Sequence, residues 1–547
     1  LIGSMHPDGY SRRIEGRESM KPETLFSRPS LAGLKKMWCG MIAASTALLA
    51  VATDAQTIDG PIVGKPSLSR GSLAPVPDDY VVEEYFLSGN AESFVEAAPL
   101  TSDGKWTVRP NATPRAPFVT RLIVARPPAT KFNGAVVVEW LNVSGGADTS
   151  AAWAYLHREL TRSGYVWVGV SAQRAGIDGG VADAEAVRAY LARQAPAAAS
   201  HAPPAKRPPS GLTGKPLKES DEIRYGRLDH PGDAYAYDIF TQAGRAIRAS
   251  GILGSLKAQT VLATGASQSA SYLVTYINAI DPLARVYDGY LVQVRKKTSA
   301  PIDGDVFAAL RAGTGTFALP YVRVRDDSRV SVLTYISEQD LMAPGLGYIE
   351  ARQPDNDHIR TWEVAGTSHG DIYGMSVTAI DTGKAPIGEL AAAYAKADIL
   401  GGRQLAASIN AAPQGHYVLQ AGLSSLRRWV MEGEAPPIGT KLATGEAAAP
   451  ALVLDAHGNA TGGVRTPWVD VPIATYAGIG DPGHGALSMM GSTEAFDAAR
   501  LAQMYRNKAD YLTRFAAALE KSIAAGFILA ADRDEILALA AEIYPAE

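Results

Sequence analysis

The 547 residues are 46% apolar and 20% charged, an ordinary globular balance with chain enough for a large core in one elaborated domain or two. A net charge of −4 supplies neither the basic footprint that nucleic acid requires nor a polybasic patch for an anionic lipid surface. Beyond the N-terminal region no second long apolar run occurs, so no membrane span is expected in the mature chain.

Residues 1–19, which include Ile14-Glu-Gly-Arg17, read as a leader or upstream extension. Met20 opens a segment with Lys21, Arg28, Lys35 and Lys36, followed by the apolar run Met37 to Ala52 and the small residues Ala50, Ala52 and Ala55. That is the pattern of a secretory signal peptide over 20–55, and it predicts export to a periplasm or to the outside. The run is too short for an anchor, and no basic stop-transfer flank follows. Cys39, the only cysteine, lies inside this segment, so the mature chain is expected to hold no disulfide and no cysteine metal site.

From 56 to 381 the pattern is that of an α/β core. Tyr80 to Ser88 and Phe118 to Arg126 predict an antiparallel edge, with proline-rich turns between them. Ala135 to Leu141 is an apolar strand, and Asn142-Val-Ser-Gly-Gly146 turns toward a helix for which Asp148 is a plausible cap. The next strand is Tyr165 to Ser171, and strand–helix–strand at these lengths implies a parallel sheet. From about 178 to 221 the periodicity collapses into an Ala/Pro/Ser-rich insertion, expected to be a loop or part of a cap. A helix over Tyr235 to Ala249 follows, then strands at Thr260–Thr264, Tyr287–Val294, Val330–Ile336 and Ile359–Val364. The stretch from Arg295 to Asp327 has no strong pattern and is assigned to the cap. Residues 382–547 read as a mostly helical C-terminal part packed on the core, with Tyr505 to Ala525 its longest helix.

One stretch carries chemistry. The strand Thr260–Thr264 runs through Gly265-Ala-Ser267-Gln-Ser269 into a helix over Gln268 to Ala279, a sharp turn with a serine at its apex. Such a turn brings the residues two before and two after the apex together, so both must be small, as Gly265 and Ser269 are. This is the nucleophile elbow of an α/β-hydrolase fold, with Ser269 where a second glycine usually stands; the bland alternative is a serine that caps the helix. In the order Ser, acid, His, the other parts arrive just past strand ends. In Ser337-Glu-Gln-Asp340 the count along the strand-end turn favours Asp340, three residues after Ser337, as the acid, with the longer Glu338 as runner-up, and Ala365-Gly-Thr-Ser-His369 offers His369 as the base. For the oxyanion the backbone N–H of Gln268 is one donor and that of Val143 the second, chosen over Asn142 and Ser144. Asn142-Val-Ser144 is also a glycosylation sequon, set aside because it sits in a strand-end turn.

The other histidines carry less. His157 is expected on a helix surface, while His230 and His416 either line the cleft or serve the structure. Asp355, Asp357 and His358 match no metal loop and read as a solvated turn. No phosphate-binding glycine loop occurs, and neither a cofactor nor a metal is expected. The aromatics Trp140, Trp153, Tyr155, Tyr272 and Tyr373 near the motifs are more at home in a core than in a substrate pocket.

Several long blocks resemble a large bacterial "alpha/beta hydrolase domain" family. They include Val137-Val-Glu-Trp-Leu-Asn-Val-Ser-Gly-Gly146, Gly164-Tyr-Val-Trp-Val-Gly-Val-Ser-Ala-Gln173, Tyr235-Ala-Tyr-Asp-Ile-Phe-Thr-Gln-Ala-Gly-Arg245, Ser267-Gln-Ser-Ala270 and Gly458-Asn-Ala-Thr-Gly-Gly-Val-Arg-Thr-Pro467. The resemblance covers nearly the whole mature chain and implies a serine hydrolase of esterase type. It also implies glutamate before the nucleophile, where this chain has Ala266. The reading that follows is a carboxylic ester hydrolase acting on a small-molecule ester, in which Ser267 attacks and His369 relays the proton, so that activity falls on acidification. The rivals are an amidase or peptidase with the same residues and a non-catalytic binding protein on the same fold.

Overall fold

The structure is a computed structural model that describes residues 56–545 apart from 70–72, 74, 180–213, 250, 305–318, 401, 447–450 and 481–486. The leader, the signal segment with Cys39 and most of the 178–221 insertion lie outside the described residues. Nine strands pair into one sheet: β1 (Thr57–Asp59), β2 (Val81–Ala91), β3 (Ala116–Arg126), β4 (Ala135–Trp140), β5 (Val166–Val170), β6 (Thr260–Ala266), β7 (Gly289–Gln293), β8 (Ser331–Ser337) and β9 (Ile359–Val364). Their order across the sheet is β1-β2-β3-β5-β4-β6-β7-β8-β9. The β1, β2, β3 and β5 neighbours pair antiparallel, and from β5 to β9 every pairing is parallel.

Alternation along the strands builds two cores. Val136, Val138 and Trp140 of β4, with Val261 and Ala263 of β6, face one layer; Ala135 and Val137 of β4, with Leu262 of β6, face the other. Helix α1 (Ala151–Arg162) packs on the second face through Trp153, Leu156 and Leu160. The first face is covered by α2 (Ala236–Ala249) and α3 (Gln268–Thr275), where the Trp140 ring lies 4.7 Å from Phe240 and 5.2 Å from Tyr272. The helix expected to run on to Ala279 changes pitch instead, with a π-helical turn over Tyr276–Ile280. Two buried carboxylates fix the β4–α1–β5 unit. Glu139, in mid-strand, accepts the N–H groups of Ala152 and Trp153 at the start of α1 and the Trp167 indole, and burial pushes its pKa up to about 7. Asp148 is not the cap of α1; Ser150 takes that position, and Asp148 accepts from Arg121 and Ser171.

One further expectation gives way to tertiary contacts. Of the patternless stretch after β7, the described residues Ala300, Ile302, Val322 and Val324 enter the first core rather than a separate cap. The C-terminal part is mostly helical and packs on the core, as expected, although its longest helix lies earlier than Tyr505 to Ala525. Helix α5 (Gln414–Glu432), which follows α4 (Glu338–Met342), lays Val418, Leu423 and Leu426 on the second face of the sheet. Beyond it, β10 (Ala474–Ala477) and β11 (Ser492–Ala495) form an antiparallel pair, and α6 (Lys508–Ala524) and α7 (Arg533–Ile543) enclose a third core with Tyr511, Phe515 and Leu539. Residues Asp54–Glu547 form one compact unit.

The chain leaves β4 toward β5 on one side and continues through β6 on the other. The crevice at the carboxyl ends of β4 and β6 is therefore the topological switch point, where ligands of open α/β sheets bind.

Candidate active site

At that crevice β6 turns into α3. Ser267 at the apex has φ 61° and ψ −117°, a conformation that costs a non-glycine residue about 1–3 kcal/mol and persists only where the surroundings impose it. They do so here through the Ser267 N–H, which donates to the Gln293 carbonyl of β7 at 3.0 Å, and through the close crossing of strand and helix. A Cβ on Gly265 would lie 3.1 Å from the Ser269 carbonyl carbon and oxygen. The small residues flanking the turn are thus a consequence of its sharpness. Gln268 occupies the first position of α3, where N–H groups have no intrahelical acceptor.

The structure brings Ser267, His369 and Asp340 together. The Ser267 hydroxyl lies 2.8 Å from His369 Nε2, and His369 Nδ1 lies 2.6 Å from Asp340 Oδ1. With a carboxylate accepting from Nδ1–H, the Nε2 lone pair is left to accept from the serine hydroxyl. The Asp340 side chain is fully buried, whereas that of His369 keeps 13% of its surface exposed. A capping box at the end of β8 aims the carboxylate: Ser337 N–H and Oγ–H both donate to Asp340 Oδ2, at 3.0 and 2.6 Å, and Asp340 N–H donates back to Ser337 Oγ. One oxygen is held by its own turn, and the other is left for the imidazole.

Glu338 points elsewhere. Its oxygens accept the N–H groups of Gly366 and Gly478, it is 2% exposed, and burial pushes its pKa up to about 7. Of the two acids offered by the sequence, Asp340 is therefore the one that meets His369. The reason is backbone geometry: Asp340 at N3 of the capping box folds back over its turn, while Glu338 at N1 projects toward the loop after β9.

At the end of β4, Val143 N–H faces the side-chain oxygen of Gln268 at 3.5 Å. Asn142 spends its amide on the elbow, donating to the Ala266 carbonyl at 2.9 Å while its oxygen accepts from Ser144 N–H and Oγ–H. Its nitrogen is committed to the elbow. Gln173, past the end of β5, links this loop to the rest: its oxygen accepts from Gln268 Nε2 at 2.9 Å and from the Trp140 indole at 3.1 Å, and its amide donates to Asp233. Gln173 and Asp233 escape sequence reasoning because no local pattern links residues 60 to 95 positions apart.

The loop that carries His369 begins at Gly366, which holds φ +70°. Its contacts come largely from the C-terminal part. Asn410 and Gln414 donate to the Gly366 carbonyl at 3.1 and 3.2 Å, and Gly370 N–H donates to the Met489 carbonyl at 3.1 Å.

His157, His230 and His416 are buried in the fold. His157 is not on a surface: it is 1% exposed, with Nε2 2.8 Å from the Asp381 carbonyl, because α1 is covered by the segment after β9. His230 is buried between the Ala172 carbonyl and Gly232 N–H. His416 is stacked on Tyr373 with 3.7 Å between ring centroids, and burial pushes its pKa down to about 3. Asp381, His416 and Glu535 are close enough for their ligand atoms to share one ion. The donor set does not fit a metal: Arg158 bridges the two carboxylates, and the Tyr373 and Tyr417 hydroxyls donate to them as well. The guanidinium already supplies the positive charge. Trp140, Trp153, Tyr272 and Tyr373 are core residues, as expected.

A mostly parallel sheet with helices on both faces and a strained serine turn at its switch point defines an α/β-hydrolase fold. The chain belongs to the family described as "Alpha/beta hydrolase domain", whose profile matches residues 55–538. A search of curated proteins gave no match. Solved structures similar to part of the chain include a serine hydrolase without lid from Xanthomonas campestris, at 10% identity over 46% of this chain and 80% of that one, TM-score 0.26. Others are one of two fungal esterases from Rhizomucor miehei, at 15% identity over 54% and 78%, TM-score 0.26, and acetyl xylan esterase 1 from a Thermoanaerobacterium species, at 10% over 50% and 80%, TM-score 0.23.

Proposed function

We propose that the protein is a serine-dependent carboxylic ester hydrolase acting on a small-molecule ester. The observation that carries the reading is the unbroken line from Ser267 Oγ through His369 to Asp340, with contacts of 2.8 and 2.6 Å. Ser267 Oγ attacks the acyl carbon as its proton passes to His369 Nε2, and Asp340 holds the imidazole in the tautomer that can accept it. The oxyanion of the tetrahedral intermediate takes hydrogen bonds from the N–H groups of Gln268 and Val143. The Gln268 side-chain oxygen, only loosely bound to Val143 at 3.5 Å, gives way to it. The intermediate collapses as the imidazolium protonates the departing alkoxide, and water repeats the sequence on the acyl-enzyme. Every step uses protein groups and water alone. The proposal includes export directed by residues 20–55.

The test is Ser267→Ala, assayed on a panel of p-nitrophenyl esters alongside labelling of the wild type by a fluorophosphonate. The variant is expected to fold and to lose turnover, and the wild type to label at Ser267. Turnover retained by the variant ends the proposal. So does a wild type that hydrolyses anilides as readily as matched esters.

A further inference from the structure

Glu338 leaves the turn that carries Asp340 and joins two distant segments. Oε1 accepts the Gly366 N–H at 2.5 Å and Oε2 accepts the Gly478 N–H at 2.8 Å. Gly366 opens the loop that leads to His369, and Gly478 directly follows β10 in the C-terminal part. The Glu338 N–H adds a bond to the Thr367 carbonyl at 3.1 Å. Packing at the junction is tight: a Cβ on Gly478 would lie 2.1 Å from the Thr367 oxygen and 2.5 Å from Glu338 Cβ. Asn410 Nδ2 bridges the same two segments, at 3.1 Å from the Gly366 carbonyl and 3.2 Å from that of Ala477. Burying a carboxylate this deeply is costly, and a nonpolar side chain would serve packing alone at lower cost. What a nonpolar residue cannot do is accept two N–H groups from different parts of the chain at once.

We propose that Glu338 is a positioning residue whose carboxylate, shared between Gly366 and Gly478, fixes the histidine loop against the β10–β11 hairpin so that His369 reaches Ser267 and Asp340 together. The inference rests on the reading of those three side chains given above. It explains why the C-terminal part belongs to the site while placing none of the three reacting groups in it: its hairpin holds the far side of the loop. Glutamine cannot replace the carboxylate, because it has one acceptor oxygen and would turn its NH2 toward the second N–H.

The experiment compares Glu338→Gln and Glu338→Asp with the wild type in the full chain, on p-nitrophenyl acetate, with active sites counted by fluorophosphonate labelling of Ser267. For Glu338→Gln, kcat per labelled site is expected to fall about 10- to 100-fold, the scale of an ångström-sized misplacement, while KM stays within about threefold. Glu338→Asp keeps the charge but is one methylene too short to reach both glycines, and should show a smaller loss of the same kind. Peptides covering 364–371 and 476–480 should exchange amide hydrogens faster together. If kcat per labelled site stays within about threefold of wild type while only the melting temperature drops, Glu338 merely holds the fold and the proposal is overturned. If neither variant folds, amide exchange in the wild type decides, because the bridge requires slow exchange at both Gly366 and Gly478; rapid exchange at Gly478 overturns it. A wild type that neither labels nor hydrolyses the ester removes the esterase reading itself. A wild type that does both, with variants that match it, removes only the role of Glu338.

Discussion

Replacing Asp340 by asparagine tests the site at its most constrained point. An amide has one acceptor oxygen and one NH2 group, and the two positions it would fill make different demands. On the turn side, Ser337 N–H is fixed in the backbone and points at Oδ2 from 3.0 Å, so the amide oxygen must face it. An NH2 placed there would set donor against donor in a fully buried turn. The NH2 therefore faces His369 Nδ1, which must give up its proton and accept, and the imidazole proton moves to Nε2. In that tautomer the ring can no longer take the Ser267 proton across 2.8 Å. The shape of the side chain is conserved, so stability should change little. The activity loss should be roughly 10³–10⁴-fold in kcat, or about 4–5.5 kcal/mol of transition-state stabilisation. Steady-state kinetics on a p-nitrophenyl ester, with the rate of fluorophosphonate labelling as an independent measure of Ser267 nucleophilicity, would record it. A loss below tenfold in both would mean that the capping box does not set the amide orientation, or that His369 does not depend on Asp340.

Acid should destabilise the fold partly through His416. Its folded pKa, about 3, lies below the unbound value of 6.5, so above pH 6.5 both states are neutral and the group contributes nothing. As pH falls from there toward 3, only the unfolded chain takes up the proton, and stability drops by roughly 1.4 kcal/mol by pH 5.5. His416→Phe keeps a ring against Tyr373 without the proton; urea unfolding at pH 7.5 and 5.5 should show a smaller acid loss than wild type, and an equal loss would refute the assignment. Gly265→Val should force β6 and α3 apart, because its Cβ would already sit 3.1 Å from the Ser269 backbone. A stability loss of about 1–3 kcal/mol and slow labelling of Ser267 are expected, and wild-type values of both would show that the crossing tolerates bulk.

Features that depend on neighbours along the chain were legible in the residues. The strands that became β2 to β9 announce themselves by apolar, β-branched runs, because a buried strand needs them wherever it sits. The elbow is equally local: Gly265 and Ser269 are small because the turn between them is sharp, and the histidine follows a strand end at a distance set by one short loop. The helix surface assigned to His157 failed for a related reason. Periodicity reports which residues of α1 share a face, but not that the segment near Asp381 covers the polar one.

What tertiary structure decided was direction. Glu338 and Asp340 belong to one four-residue turn and are chemically alike; the spacing Ser337-x-x-Asp340 favours Asp340 locally, but it says nothing of where Glu338 goes or whether His369 arrives. They are separated by what surrounds each: Asp340 has its second oxygen held by Ser337, while Glu338 finds a donor on Gly478, 140 residues further on. The amino-acid order thus fixed which groups stand at the strand ends, since that follows from burial and turn geometry within a few residues. Which of them face one another depends on hydrogen-bond donors that only the closed fold brings within 3 Å.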